Sequence, residues 1–504
     1  MTTTANDRTI ESNFKDLFWE LMPDSSFDIT SHGNVSDAFP KILFYRNNDY
    51  ELRCRLEANV GNDIKMRMQL RPFKSESDKD AGVLFRGEDM IANSHGLEVK
   101  IKGFHFSRMD ANQDPCFIEG TVYQLHIAPS KISGETEFVH YWYLNGFGEE
   151  GPFCRFSEKE FKTTLKLKID NIEKEIERPA FGNTSIDCMR LLINNKTFVF
   201  GAANKASSKD VPCSYLRFSK ENVPSKEELE AIENTLSYIF GKMFLFVGSS
   251  KYSSDWRLIE RSFQDPYLYG TSLEKILKLP KYEPFIINRI KMGDSETVIN
   301  QMLGNYFELA KAFPLNEVVE AINMYRLFPL DLEIMPLSLA LDMLKNAWFK
   351  SDKSTSKGKH LADNRYELVL QKYLIQIEED LKAIFKLNAN ETAPTEMTPD
   401  TSTPIINRIK GANNLSNNER IQVFFNELGL KISDVEARAL QTRNIVVHGA
   451  TKERNDQQFV DNVHIYYTLL NKVLLKLLSY DGLYLDYGTH GWPQRHMTLP
   501  IVAQ

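Results

Sequence analysis

Near the carboxyl-terminal end of the chain, Arg443-Asn444-Ile445-Val446-Val447-His448-Gly449 sets a guanidinium, a carboxamide and an imidazole close together. A histidine exchanges protons near neutral pH. A guanidinium is always charged and grips an oxyanion with two parallel N–H donors. Asn444 can hold the imidazole rotamer or donate a bond of its own. By itself the Arg-x(4–6)-His pattern carries little weight. With 10 histidines in the chain, about one or two chance matches are expected, and one is present.

The neighbouring residues give the motif a setting. Ser433 and Glu436 have the spacing of a capping box. Val435, Leu440 and Val447 supply apolar positions for the helix that follows, and Gly449 is placed to stop it in the left-handed conformation. At about 100° per residue Asn444 and His448 share a face, while Arg443 and His448 lie about 140° apart. The two can meet only if His448 sits on a frayed last turn. On these residues alone two readings stay open. In one, Arg443 and His448 share a reactive cleft. In the other, Arg443 pairs with Glu436 or Asp434 on the surface, and His448 merely caps a helix C-terminus.

Other chemistry-bearing residues read as structure. His464 lies beside Tyr466 and Tyr467 on a long helical pattern, as a core or interface histidine does. Gly146-Phe147-Gly148-Glu149-Glu150-Gly151 lacks the Gly-Lys-Ser/Thr of a phosphate loop and reads as a turn. His490 and His496 flank Trp492-Pro493 with no carboxylate at metal spacing, so no metal site and no cofactor is expected. Val139 to Tyr143 reads as a strand buried on both faces.

The elements that must position the motif fall in two blocks. From about Phe27 to Val247 the period is two: Leu52, Cys54 and Leu56 alternate with Arg53, Arg55 and Glu57, and Met66, Met68 and Leu70 alternate with Arg67 and Gln69. Leu97–Ile101 and Val122–Ile127 continue the pattern, and Met189 to Ala202 predicts a hairpin turning at Asn194-Asn195-Lys196. One helix interrupts, boxed by Ser225 and Glu228 and ended by Gly241. After roughly Ser250 the period becomes 3.6, as in Ile334, Leu337, Leu341, Leu344 and Trp348, and in Leu370, Tyr373, Leu374, Ile377, Leu381 and Ile384. Ser416 with Glu419 starts one later helix, and Asn455 or Asp456 another that reaches about Tyr480. Ser351 to Lys359 and Asn388 to Pro404 read as disordered loops. The fold class is α+β: a sandwich-like or strongly bent β-rich part over 1–250, a helical connection over 251–320, a helical bundle over 321–490 and a tail over 491–504.

Composition bounds the partners. The chain carries a formal net charge of -7 and a pI of about 5.9, so contact with nucleic acid should be local and not extensive. Mean hydropathy is -0.37 and no apolar run is long enough to span a membrane. The first residues lack a secretory signal's layout. Five scattered cysteines without a Cys-x-x-Cys fit a reducing cytoplasm.

Arg443-Asn444 with His448-Gly449 in a C-terminal helical block resembles the Arg-x(4–6)-His signature of HEPN-domain ribonucleases. The β-rich half in front of it resembles the ApeA-like branch of bacterial anti-phage proteins, as do Leu17-Phe18-Trp19-Glu20-Leu21-Met22-Pro23 and His32-Gly33-Asn34-Val35. That resemblance implies a HEPN bundle and metal-independent cleavage of RNA, with tRNA as the guessed substrate. It implies catalysis by Arg443, His448 and Asn444 in a site shared across a homodimer, with Lys452 and Arg454 steering RNA phosphates. It also implies a phage-derived trigger and abortive infection as the outcome. The alternative is a non-catalytic dimerisation or scaffold bundle beside a ligand- or protein-binding β domain.

Overall fold

In the computed structural model the described residues are 25–33, 35, 37–47, 51–58, 88–110, 115–129, 134–147, 153, 155–169, 172–203, 213–255, 257–266, 273–287, 294–388, 408, 411–447 and 456–497. The chain divides into two compact units, Met1–Gly304 and Asn305–Gln504.

The first unit is built on one 13-stranded sheet. Its strands are β1 (Ser25–Asp28), β2 (Lys41–Arg46), β3 (Leu52–Ala58), β4 (Glu88–Ser94), β5 (Leu97–Asp110), β6 (Cys116–Pro129), β7 (Phe138–Leu144), β8 (Arg155–Ile169), β9 (Ile172–Ile193), β10 (Lys196–Ala203), β11 (Cys213–Ser219), β12 (Leu245–Tyr252) and β13 (Leu258–Gln264). The order is β1-β2-β3-β6-β13-β12-β7-β11-β10-β9-β8, with the β4–β5 hairpin added on the other side of β6. The strands hydrogen-bond as one continuous sheet and not as the two sheets of a sandwich. The sheet also runs past Ser250 to Gln264. The Met66–Leu70 pattern and the Leu17–Pro23 segment lie outside the described residues.

Period-two burial is what makes β3 a strand: Leu52, Cys54, Leu56 and Ala58 are all buried, and the charged residues between them are half-buried. On β2 the same rhythm buries Ile42, Phe44 and Arg46. Arg46 is tolerated there because its guanidinium donates to the carbonyls of Val247 at 3.0 Å and Gln264 at 2.9 Å. The β9–β10 hairpin turns at Asn194 (φ 47°) and Asn195 (φ 64°), the left-handed pair a two-residue turn requires. Helix α1 (Lys226–Phe240) has its full Ser225/Glu228 box, ends at Gly241 (φ 57°), and seats Phe240 against Phe147 with ring centroids 4.5 Å apart. Central β7 buries Trp142 and Tyr143 on opposite faces; one indole N–H donates to Ser250 and the phenol to Glu233 of α1. Two further helices, α2 (Leu273–Lys278) and α3 (Asp294–Ala310), close the unit, whose boundary falls within α3.

The second unit is helical: α4 (Leu315–Met324), α5 (Ile334–Lys350), α6 (Asp363–Asn388), α7 (Asn417–Glu427), α8 (Asp434–Val447) and α9 (Asp456–Leu477), followed by the small β14–β15 pair (Leu483–Leu485, Gln494–His496). The expected tail thus begins inside a hairpin. Helix α5 packs against α4, α7, α8 and α9. Its Ile334, Leu337, Leu341, Leu344 and Trp348 are buried as their spacing predicts. Helix α6 instead leaves Leu368, Val369, Tyr373 and Ile375 exposed, Leu368 at 80%.

One expectation fails here. Ser351 to Lys359 is not disordered. Its turns close around Glu427, whose carboxylate accepts from the backbone N–H groups of Thr355 (3.2 Å) and Ser356 (3.0 Å), the Thr355 hydroxyl (2.8 Å) and the Trp348 indole (2.5 Å). Lys359 and Asn414 then bridge the loop to the start of α7. Composition signalled disorder because an anchor 71 residues away from Ser356 leaves no local trace. Of the second expected loop, Asn388 ends α6 and the residues from 389 to 404 lie outside the described set.

Candidate functional site

Helix α8 carries the motif, and its first turn is fixed on both sides. The Ser433 backbone N–H donates to Glu436 at 2.7 Å, and the Glu436 N–H to the Ser433 hydroxyl at 3.3 Å. The other Glu436 oxygen accepts from Lys472 of α9 at 3.0 Å, with side chains only 0% and 2% exposed. A buried carboxylate and ammonium hold this position only as a hydrogen-bonded pair. The pairing of Arg443 with Glu436, one form of the alternative reading, does not form: Glu436 is committed to Lys472.

Arg443 lies seven residues after Glu436, within about 20° of the same helix face. That face is the inner one, since Ala439 and Thr442 are also buried. Further along this face Arg443 is half-buried. Its guanidinium pairs with Asp342 of α5. Asp342 also accepts from Lys345 at 2.6 Å, one turn on along α5, and Lys345 is only 2% exposed. The Lys345 ammonium reaches in addition the Asn417 side chain at the start of α7.

Arg420, on the first turn of α7, completes the group. It donates to Asn346 at 3.2 Å, and its guanidinium lies 5.0 Å from the Phe349 ring centroid. Its Nε is buried without a hydrogen-bond partner. Arg420 and Arg443 each lie near enough to Lys345 to act on its charge. Burial pushes the Lys345 pKa down; its bond to Asp342 opposes that, and the charges of Arg420 and Arg443 push it down further. Tyr466 of α9 is buried close enough to feel both Asp342 and Arg443. Burial raises its pKa, Asp342 adds to the rise and Arg443 counters it.

Of the five residues given a role in catalysis or RNA binding, Arg443 alone is described in full. The backbone of Asn444 lies in α8, and its side chain is outside the described set. His448, Lys452 and Arg454 are outside it too. His464 is half-buried, with its pKa lowered by burial and by Arg326, in keeping with a structural role. Asp342, Lys345 and Arg420 were not singled out. Asp342 and Lys345 sit one turn apart on a strongly apolar helix, which reads as an ordinary surface pair. Among the described residues, no three His, Cys, Asp or Glu side chains gather as a metal site, and no helix is long and apolar enough to cross a membrane.

Comparison with known proteins adds no likeness to this picture: no family model, no curated protein and no solved structure matches the chain.

Proposed function

We propose that the helical unit is a HEPN-type, metal-independent endoribonuclease of the ApeA-like kind, acting against phage from the cytoplasm, with the β-rich unit as its sensor. One observation carries the reading. Arg443 stands half-buried on the inner face of α8, near other cations, with His448 five residues further along the chain. A merely solvated arginine would lie on the outer face.

The chemistry follows from the residue types. A ribose 2′-hydroxyl gives its proton to His448 and attacks the neighbouring phosphorus. Negative charge grows on the phosphoryl oxygens, where Arg443 holds it with paired donors. The P–O5′ bond breaks, leaving a 2′,3′-cyclic phosphate, and the departing oxygen takes a proton from the His448 of a second copy. Asn444 orients the imidazole, and Lys452 with Arg454 draws in the backbone. The exposed apolar side chains of α6 support assembly with that second copy. Substrate and trigger are proposed by resemblance as tRNA and a phage protein.

A scaffold bundle is the competing reading, and it takes the Arg443–Asp342 pair as purely structural. The deciding experiment incubates the protein with total RNA and chelator, with phage lysate as the trigger source. Discrete fragments ending in cyclic phosphate are expected, lost in Arg443→Ala and in His448→Ala without loss of fold. Fragments from the double variant at the parent rate would end the nuclease reading.

A further inference from the structure

Two cations, Lys345 and Arg443, share the Asp342 carboxylate where α5 and α8 meet, and a third, Arg420 of α7, lies close enough to act on Lys345. Asp342 answers both Lys345 and Arg443, while Arg420 has only amide and ring partners among the contacts described above. Lys345 is almost wholly buried, and Arg420 keeps one buried N–H unbonded. Holding like charges together is unfavourable without an anion to share. Among the described residues Asp342 is the one carboxylate paired with Lys345 and Arg443, and none pairs with Arg420. The α7 N-terminus adds its own partial positive charge beside Asn417.

We infer that this group is a second phosphate-binding site: Arg420 holds the RNA backbone phosphate next to the scissile one on Arg443, the buried Lys345 adds its charge from beneath, and Asp342 is the resident anion that the RNA displaces. The inference rests on the ribonuclease reading for the identity of its ligand, and it deepens that reading by naming residues outside the motif. The amides of Asn346 and Asn417 lie on the same rim, where they can donate to phosphate oxygens. Arg420 is a substrate-positioning residue here, since the reacting atoms belong to Arg443 and His448.

The test uses the full chain and a fluorescent single-stranded RNA oligonucleotide with 2′-deoxy substitution, which binds without being cut. Affinity is measured by anisotropy from about 50 to about 200 mM salt, where each phosphate contact on a single strand adds about 0.7 to the logarithmic salt slope. Arg420→Gln should weaken binding and make the slope shallower by about 0.7. Asp342→Asn keeps the side-chain shape but removes the competing charge, so binding should tighten about five-fold at low salt. Circular dichroism checks that both variants are folded. An unchanged slope in Arg420→Gln, weaker binding in Asp342→Asn, or no binding by the parent protein would each overturn the site. Cleavage of natural RNA is scored separately. Cleavage with an unaltered slope sinks only this inference, whereas the expected slopes without any cleavage sink only the nuclease.

Discussion

Breaking the Glu436–Lys472 pair should loosen the helix that carries Arg443. In Lys472→Met the ammonium is replaced by an apolar chain of similar length, and the Glu436 carboxylate stays behind at 0% exposure. Removing one partner of a buried pair costs about 3–5 kcal/mol, because the other charge is left without compensation. The helical unit runs from Asn305 to Gln504. For a unit of that size each kcal/mol lowers the melting temperature by about 2–4 °C, so the variant should melt roughly 10 °C below the parent. Glu436→Gln with Lys472→Met removes both charges, while the Gln oxygen still accepts from the Ser433 N–H. This double variant should recover at least half of the loss. Thermal unfolding is followed by circular dichroism and by tryptophan emission, since Trp348 and Trp492 both lie in this unit. If the double variant melts as low as Lys472→Met, the charges are not coupled and Glu436 does not anchor α8 in the way described.

Glu427 is pulled both ways. Burial would raise its pKa, but the Trp348 indole, the Ser356 N–H and the Thr355 hydroxyl hold it at about 2 against an ordinary 4.5. Its contribution is complete above pH 4.5 and fades as pH falls toward 2, so the urea midpoint of Glu427→Gln should meet the parent's across that range. After discounting for solvent, the gap at neutral pH is about 1–2 kcal/mol. Glu233 behaves oppositely: burial lifts it to about 7, partly opposed by the Tyr143 hydroxyl, so stability is full below pH 4.5 and is lost as pH rises through 7. Glu233→Gln should flatten that decline in denaturation midpoints measured from pH 5 to 8; an equally steep decline would remove Glu233 as its source. Arg443→Gln leaves Asp342 paired with the buried Lys345. It should fold within about 1–2 kcal/mol of the parent yet lose RNA cleavage, and retained cleavage would make Arg443 structural.

Local chemistry was legible in the sequence wherever partners lie within a few residues. Ser225 with Glu228, Ser416 with Glu419, Ser433 with Glu436, and Asn194-Asn195 all do what their spacing predicts. The apolar stripe of α5 and the period-two strands β3, β5 and β6 were equally plain. What stayed hidden depends on partners distant in sequence. A sheet of 13 strands is set by pairings such as β3 with β6 and β13 with β6, which no local period encodes. Arg46 sits at an apolar position of β2, and partners far along the chain explain it, among them the carbonyls of Val247 and Gln264, 201 and 218 residues on.

The candidate site was half visible for the same reason. Arg443 announces itself through His448, but its orientation is decided by Glu436 and Lys472. Once Glu436 is drawn into the bundle, a separation of seven residues turns Arg443 to the same side. An apolar residue at that position would bury itself at the rim; a guanidinium there needs an anion, and Asp342 provides one. That anion is already shared with Lys345, so the positive charge exceeds what Asp342 can answer. A site meant only to join α5 to α8 would need one cation for one carboxylate. Gathering Arg420 and Arg443 near the buried Lys345 raises the electrostatic cost of the folded chain, and a phosphate group is the kind of ligand that would offset it.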